Sequence, residues 1–90
     1  MKYYQSLADY LEKLWDKGFK LTDEQVRFIY FAKKFTNSSE WHACVALENT
    51  LKLKYHFNGS FYISLLELLN EYQVGTRKEI VHLLKQKGIF

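Results

Sequence analysis

The sequence has no proline, four glycines and a single cysteine in 90 residues. Cys44 therefore cannot form an internal disulfide, and no Cys–His cluster has the spacing of a zinc site. No run approaches the ~20 apolar residues of a membrane-spanning helix, and the N-terminal residues lack the apolar segment of a signal peptide. These absences favour a reduced, cytoplasmic protein of one domain, residues 1–90, without metal, cofactor or membrane partner.

Aromatic residues are abundant: the chain contains 7 Tyr, 7 Phe and 2 Trp. One small core needs fewer, so we expect some of them on the surface, where aromatic side chains serve as binding anchors. The net charge is +3. This charge permits an acidic partner, but a dedicated nucleic-acid binder concentrates more basic residues on one face.

The glycines stand where helical patterns stop, which predicts an all-α fold. Apolar spacing predicts a compact bundle of about five short helices, over residues 2–17, 22–36, 38–57, 60–73 and 76–88. Thr22 with Gln25, and Thr76 with Glu79, have the spacing of capping boxes. The Asn-Gly pair within residues 52–63 leaves a β-hairpin open as an alternative there.

The second helix is apolar nearly all round. Phe28, Phe31 and Phe35 fall on one side at ~100° per residue, and only Arg27 and Lys34 keep a polar strip. A helix of this kind is usually a buried one. We therefore predict that residues 22–36 form the central buried helix of the bundle.

No residue pattern indicates catalysis. Cys44 shares an apolar helix stripe with Trp41 and Val45, which is typical of a core residue rather than a nucleophile. His42 and His56 lie ~21 Å apart along one predicted helix, too far to share a metal ion. We predict that the protein is not an enzyme.

One short motif offers a remote alternative. Arg77 and His82 have the Arg-x₄-His spacing that resembles the motif of the HEPN ribonuclease superfamily, which is also all-helical. In that family the two residues lie at a dimer interface and act on the RNA phosphate. The resemblance covers six residues, and it implies Arg77 and His82 as the candidate catalytic pair.

Basic residues of the last helix indicate a second alternative, nucleic-acid binding. Lys78, His82 and Lys85 form a basic stripe with Arg77 beside it, suited to phosphate contacts. Helices two and three also have the connection length of a helix-turn-helix. Helix three would then present a thin set of base-reading residues: His42, Asn49, Lys52 and His56.

Charged and aromatic residues in unexpected positions indicate a protein-contact surface. Glu48 falls inside the apolar stripe of helix three, where it either pairs with Lys52 or marks a surface. Aromatic residues off the predicted core faces complete the candidate set of partner-binding residues: Tyr3, Tyr10, Tyr62 and Phe90. Their partner would be another protein or a second copy of the chain.

The favoured function is a stand-alone helical protein-interaction module that performs no chemistry. Small helical proteins of this kind are typical of accessory factors, inhibitors and immunity proteins of phages and mobile elements. Nucleic-acid binding and a HEPN-like RNase remain the alternatives.

Overall fold

A computed structural model describes residues 6–88, and within that range the chain forms helices only. The five helices are α1 (Leu7–Asp16), α2 (Asp23–Phe35), α3 (Glu40–Lys54), α4 (Gly59–Glu71) and α5 (Arg77–Gln86). The all-α bundle of about five helices is therefore confirmed. No strand is present in residues 52–63, so the hairpin alternative is wrong.

Side-chain caps set the helix starts. In both predicted capping boxes the threonine hydroxyl accepts from the N3 amide and the N3 side chain accepts from the threonine amide: Thr22 with Gln25, and Thr76 with Glu79. Ser6 caps α1, which begins at Leu7, and residues 2–5 of the predicted helix lie outside the described residues. Each such cap satisfies amides that the first helical turn leaves without a partner.

The connection between α3 and α4 differs from the prediction. α3 ends at Lys54 because Tyr55 takes a left-handed conformation with φ 65°. Asn58, not Ser60, caps α4. Gly59 therefore begins a helix instead of ending one. A Cβ at Gly59 would lie 3.0 Å from a ring carbon of Phe28, so this glycine permits close approach of α2 and α4.

The most deeply buried helix is α3, not the predicted helix over residues 22–36. Every residue in the range 43–47 is at most 1% exposed, whereas Ile29 and Ala32 are the only buried residues of α2. α1, α2 and α4 all pack against α3. Ala43, Cys44 and Ala46 are small, so neighbouring helices can approach α3 closely, and the bulky rings of α2 stay at the edge.

α2 and α4 lie side by side and run in the same direction. Near the middle of α2, the Tyr62 hydroxyl donates a hydrogen bond to the carbonyl oxygen of Ile29 at 3.0 Å. At its C-terminal end, the amide nitrogen Nδ2 of Asn70 donates to the carbonyl oxygen of Thr36 at 2.6 Å. α4 thus flanks one side of α2 along its length. No helix in the described range is long and apolar enough to cross a membrane.

Glu40 links three helices at the start of α3. Its Oε1 accepts from the backbone amide of Leu7, the first residue of α1, at 2.7 Å. Its Oε2 lies 3.2 Å from the ammonium of Lys33 on α2. The bond from Leu7, more than the neighbouring Lys33, lowers the pKa of Glu40 below its usual 4.5.

We predict that Glu40→Gln destabilises the fold in a pH-dependent manner. A lowered folded-state pKa means that the carboxylate stabilises the fold fully above pH 4.5 and loses this effect as pH falls through the lowered value. The side chain is 49% exposed, so we expect the variant to lose about 0.5–1 kcal/mol at neutral pH.

Urea unfolding at neutral pH and at about pH 3 measures this effect. The difference between Glu40→Gln and the unmodified protein should shrink at the acidic pH. Glu12→Gln, at an exposed carboxylate of α1, is the matched control and should show no such difference. An equal difference at both pH values would contradict the assigned role of Glu40.

Candidate protein-interaction surface

Two of the aromatic residues predicted for partner binding are in the core. Tyr10 is 6% exposed and Tyr62 is 0% exposed, so neither offers a surface to a partner. Burial raises the pKa of Tyr62, whose hydroxyl is committed to Ile29. Tyr3 and Phe90 lie outside the described residues. The predicted contact surface therefore has to be corrected.

The buried faces of α1 and α4 are rotated relative to the predicted core faces, so that they include Tyr10 and Tyr62. On α1 the buried residues are Leu7, Tyr10 and Leu14, while Trp15 is 53% exposed. On α4, Tyr62 is fully buried while its neighbour Phe61 is half-buried. Since both helices have apolar residues on adjacent stripes, their period alone cannot select the buried stripe.

Glu48 forms an ion pair with α5. Its Oε1 accepts from Nη1 of Arg77 at 2.6 Å, with side chains 24% and 34% exposed. The predicted pairing with Lys52 is replaced by this link between α3 and α5. His82 instead lies on the exposed side of α5, in a groove that Arg77 does not line. The structure therefore does not bring Arg77 and His82 together in one pocket.

α3 is not available as a recognition helix. Nε2 of His42 lies 2.6 Å from the carbonyl oxygen of Val74, and Nδ2 of Asn49 donates to the carbonyl oxygen of Val45 at 2.9 Å. Both side chains are half-buried. Because the middle of α3 forms the core, the helix-turn-helix assignment for α2 and α3 does not agree with the structure.

The thiol of Cys44 is in the core, as predicted. It is fully buried and lies 3.6 Å from the carbonyl oxygen of Ser6. Burial raises its pKa to about 12, so the thiolate that nucleophilic attack requires is not formed at neutral pH. Among residues 6–88, no three His, Cys, Asp or Glu side chains are grouped to hold a metal ion.

The exposed face of α2 carries what we name the aromatic ridge, formed by Phe28, Phe31 and Phe35. Phe31 is 57% exposed and Phe35 is 67% exposed. Their rings stack with centroids 5.6 Å apart and an interplanar angle of 20°. Phe28 is half-buried and connects the ridge to the core through Phe57, whose ring centroid lies 6.1 Å away.

Charges of opposite sign border the ridge. Glu67 and Glu71 of α4, the acidic flank, are exposed and line a shallow groove of about 360 Å³ together with Phe35. Arg27 and Lys34 of α2, the basic flank, are also exposed. At ~100° per residue they lie about 40–60° from Phe31, on the side away from Phe35.

None of these four charges belongs to a salt bridge within residues 6–88, although Tyr72 and, to a lesser extent, Glu71 raise the pKa of Lys87. The ion pairs of residues 6–88 join Lys33 to Glu40 and Arg77 to Glu48. Neither pair includes a residue of the two flanks. Arg27, Lys34 and Glu67 are therefore free to pair with charges on another molecule.

A second group of exposed aromatic residues lies between α1 and α2. Trp15 and Phe19 are 53% and 41% exposed and line another groove of about 360 Å³. The ammonium of Lys20 lies 4.1 Å from the centre of the Trp15 ring and partly covers it. The rings of Phe31 and Phe35 in the aromatic ridge, in contrast, are more exposed and stack on each other.

Sequence comparison assigns the chain to a family. The model of a family of unknown function, DUF6123, matches residues 2–90. The chain belongs to the DUF6123 family. No curated protein and no solved structure matches it. The DUF6123 match spans all five helices but assigns no activity to any of them, so function has to be argued from the surface.

Proposed function

We propose that the protein is a small helical interaction module that binds another protein through the aromatic ridge and performs no chemistry itself. The observation that supports this proposal is the exposure of two stacked rings, Phe31 and Phe35, on adjacent turns of α2. In such a protein the binding event itself is the activity, as in accessory factors, inhibitors and immunity proteins.

The rings of the ridge are expected to contribute more binding free energy than the surface charges. Covering about 100 Å² of each exposed ring would contribute about 2.5 kcal/mol per ring. A surface ion pair contributes about 0–1 kcal/mol. The two rings would therefore be the anchors of the interface, and the flanking charges would select the partner and its orientation.

We predict that Phe31→Ser combined with Phe35→Ser removes partner binding without unfolding the protein. Both side chains are more than half exposed, so their loss should change thermal stability little. Affinity capture from a lysate of the source cells, quantified by mass spectrometry, should show at least a tenfold loss of the partner.

Trp15→Ser combined with Phe19→Ser is the matched control, because it removes two exposed aromatic side chains from a different groove. The control should retain the partner. If the ridge variant still captured the same proteins while the control lost them, the proposed surface would be wrong.

Nucleic-acid binding is a second candidate, favoured by the exposure of Lys78, His82 and Lys85 on α5. The ion pair with Glu48 engages Arg77, which leaves two lysines for phosphate contacts. Two contacts give a slope of about −2 for log K against log salt, far weaker than for a typical DNA-binding protein. This face therefore supports weaker binding than the ridge does.

Under this second candidate, Lys78→Glu combined with Lys85→Glu should abolish binding to a mixed-sequence oligonucleotide at low salt. Lys13→Glu combined with Lys17→Glu, at an exposed lysine of α1 and at the exposed lysine that follows its last residue, is the control and should leave it unchanged. Fluorescence anisotropy over a salt series measures both. Binding that persists in the α5 variant would contradict the assigned face.

A further inference from the structure

The two flanks of the aromatic ridge are self-complementary. The acidic flank carries two carboxylates, and the basic flank carries one guanidinium and one ammonium, so the four charges sum to zero. They lie on opposite sides of the exposed rings of Phe31 and Phe35. A copy of this surface can therefore satisfy charges of the two flanks, whereas the exposed Glu24, about 20° from Phe31 around α2, is an additional carboxylate outside the flanks.

We infer that the occupant of the aromatic ridge is a second copy of this chain, in a two-fold dimer whose axis runs along α2. This inference rests on the proposed function, since it names the partner of the same surface. The ring pair of each copy packs on the ring pair of the other. Each acidic flank then faces the basic flank of the other copy.

Two-fold symmetry and the charges of the flanks together select the parallel dimer. For two identical ridges to face each other, the two-fold axis must lie in the plane of contact. An axis across α2 makes the two helices antiparallel and places each acidic flank against the other acidic flank. An axis along α2 makes the helices parallel and preserves the level along the helix, so it places Lys34 against Glu67 of the other copy, while Arg27 lies about two turns nearer the N-terminus. Like charges in contact are unfavourable, so the flanks favour the parallel dimer.

The size of the surface sets the strength of the dimer. The exposed parts of the two ridge rings amount to about 250 Å² per copy, whereas a standard interface buries about 800 Å² on each partner. The flanks must therefore contribute much of the contact. We expect a reversible dimer with Kd of about 10–100 µM that exchanges rapidly with monomer and is not obligate.

The first experiment is sedimentation velocity of the full chain from about 5 to 500 µM. A concentration-dependent shift from monomer to dimer is expected. Reversing either flank should weaken the dimer at least tenfold: Glu67→Lys with Glu71→Lys, or Arg27→Glu with Lys34→Glu. Glu12→Lys with Asp16→Lys, at exposed acidic residues of α1, is the matched control and should leave Kd unchanged.

Mixing the two variants, and combining their substitutions in one chain, shows whether dimerisation is lost because of charge or because of misfolding. A mixture of the two flank-reversed variants pairs a fully basic surface with a fully acidic one, so a heterodimer should form. The chain with both flanks exchanged should dimerise with itself but not with the unmodified chain. An antiparallel dimer would show the opposite preference, and this result would overturn the proposed axis.

Failure of the dimer inference and failure of the proposed function would give different results. A chain that stays monomeric at about 500 µM, or a dimer unaffected by either flank reversal, overturns the inference. If Phe31→Ser with Phe35→Ser nevertheless abolishes capture of a different protein, the proposed function stands and another occupant covers the ridge. If capture and dimer are both unchanged in that ridge variant, the proposed function fails as well.

Discussion

Small side chains in the middle of α3 allow three other helices to close around it. Ala43, Cys44 and Ala46 are all 0% exposed, and α1, α2 and α4 pack on this helix. α3 occupies the centre of the bundle, with seven buried residues against two to four in each of the other helices. Because α3 takes that place, α2 lies at the edge with two buried residues, and its largest apolar side chains remain in solvent.

Local signals in the sequence predicted the helices well. The capping boxes at Thr22 and Thr76 depend on residues three positions apart, and both formed as predicted. The buried faces were harder to predict, because α1 and α4 carry adjacent apolar stripes. The choice of Tyr10 and Tyr62 as core residues depends on the neighbouring helices, which helical periodicity does not contain.

The candidate site was visible in part. The spacing of Phe28, Phe31 and Phe35 on one side of α2 is a sequence observation, but the all-round apolar character of the helix led to the prediction of a buried position. α3 occupies the core instead, so α2 lies at the edge of the bundle with two buried residues. Contacts between distant residues, such as Glu48 with Arg77, 29 positions apart, have no local signature.

The rings of Phe31 and Phe35 are exposed on the single chain, and we expect them to become covered on binding. A soluble paramagnetic agent measures this directly by broadening the NMR signals of exposed aromatic protons. In a dilute sample both rings should broaden strongly, while the ring of Tyr62 should not. If Phe31 and Phe35 were as protected as Tyr62 under dilute conditions, α2 would be a core helix and the account would be contradicted.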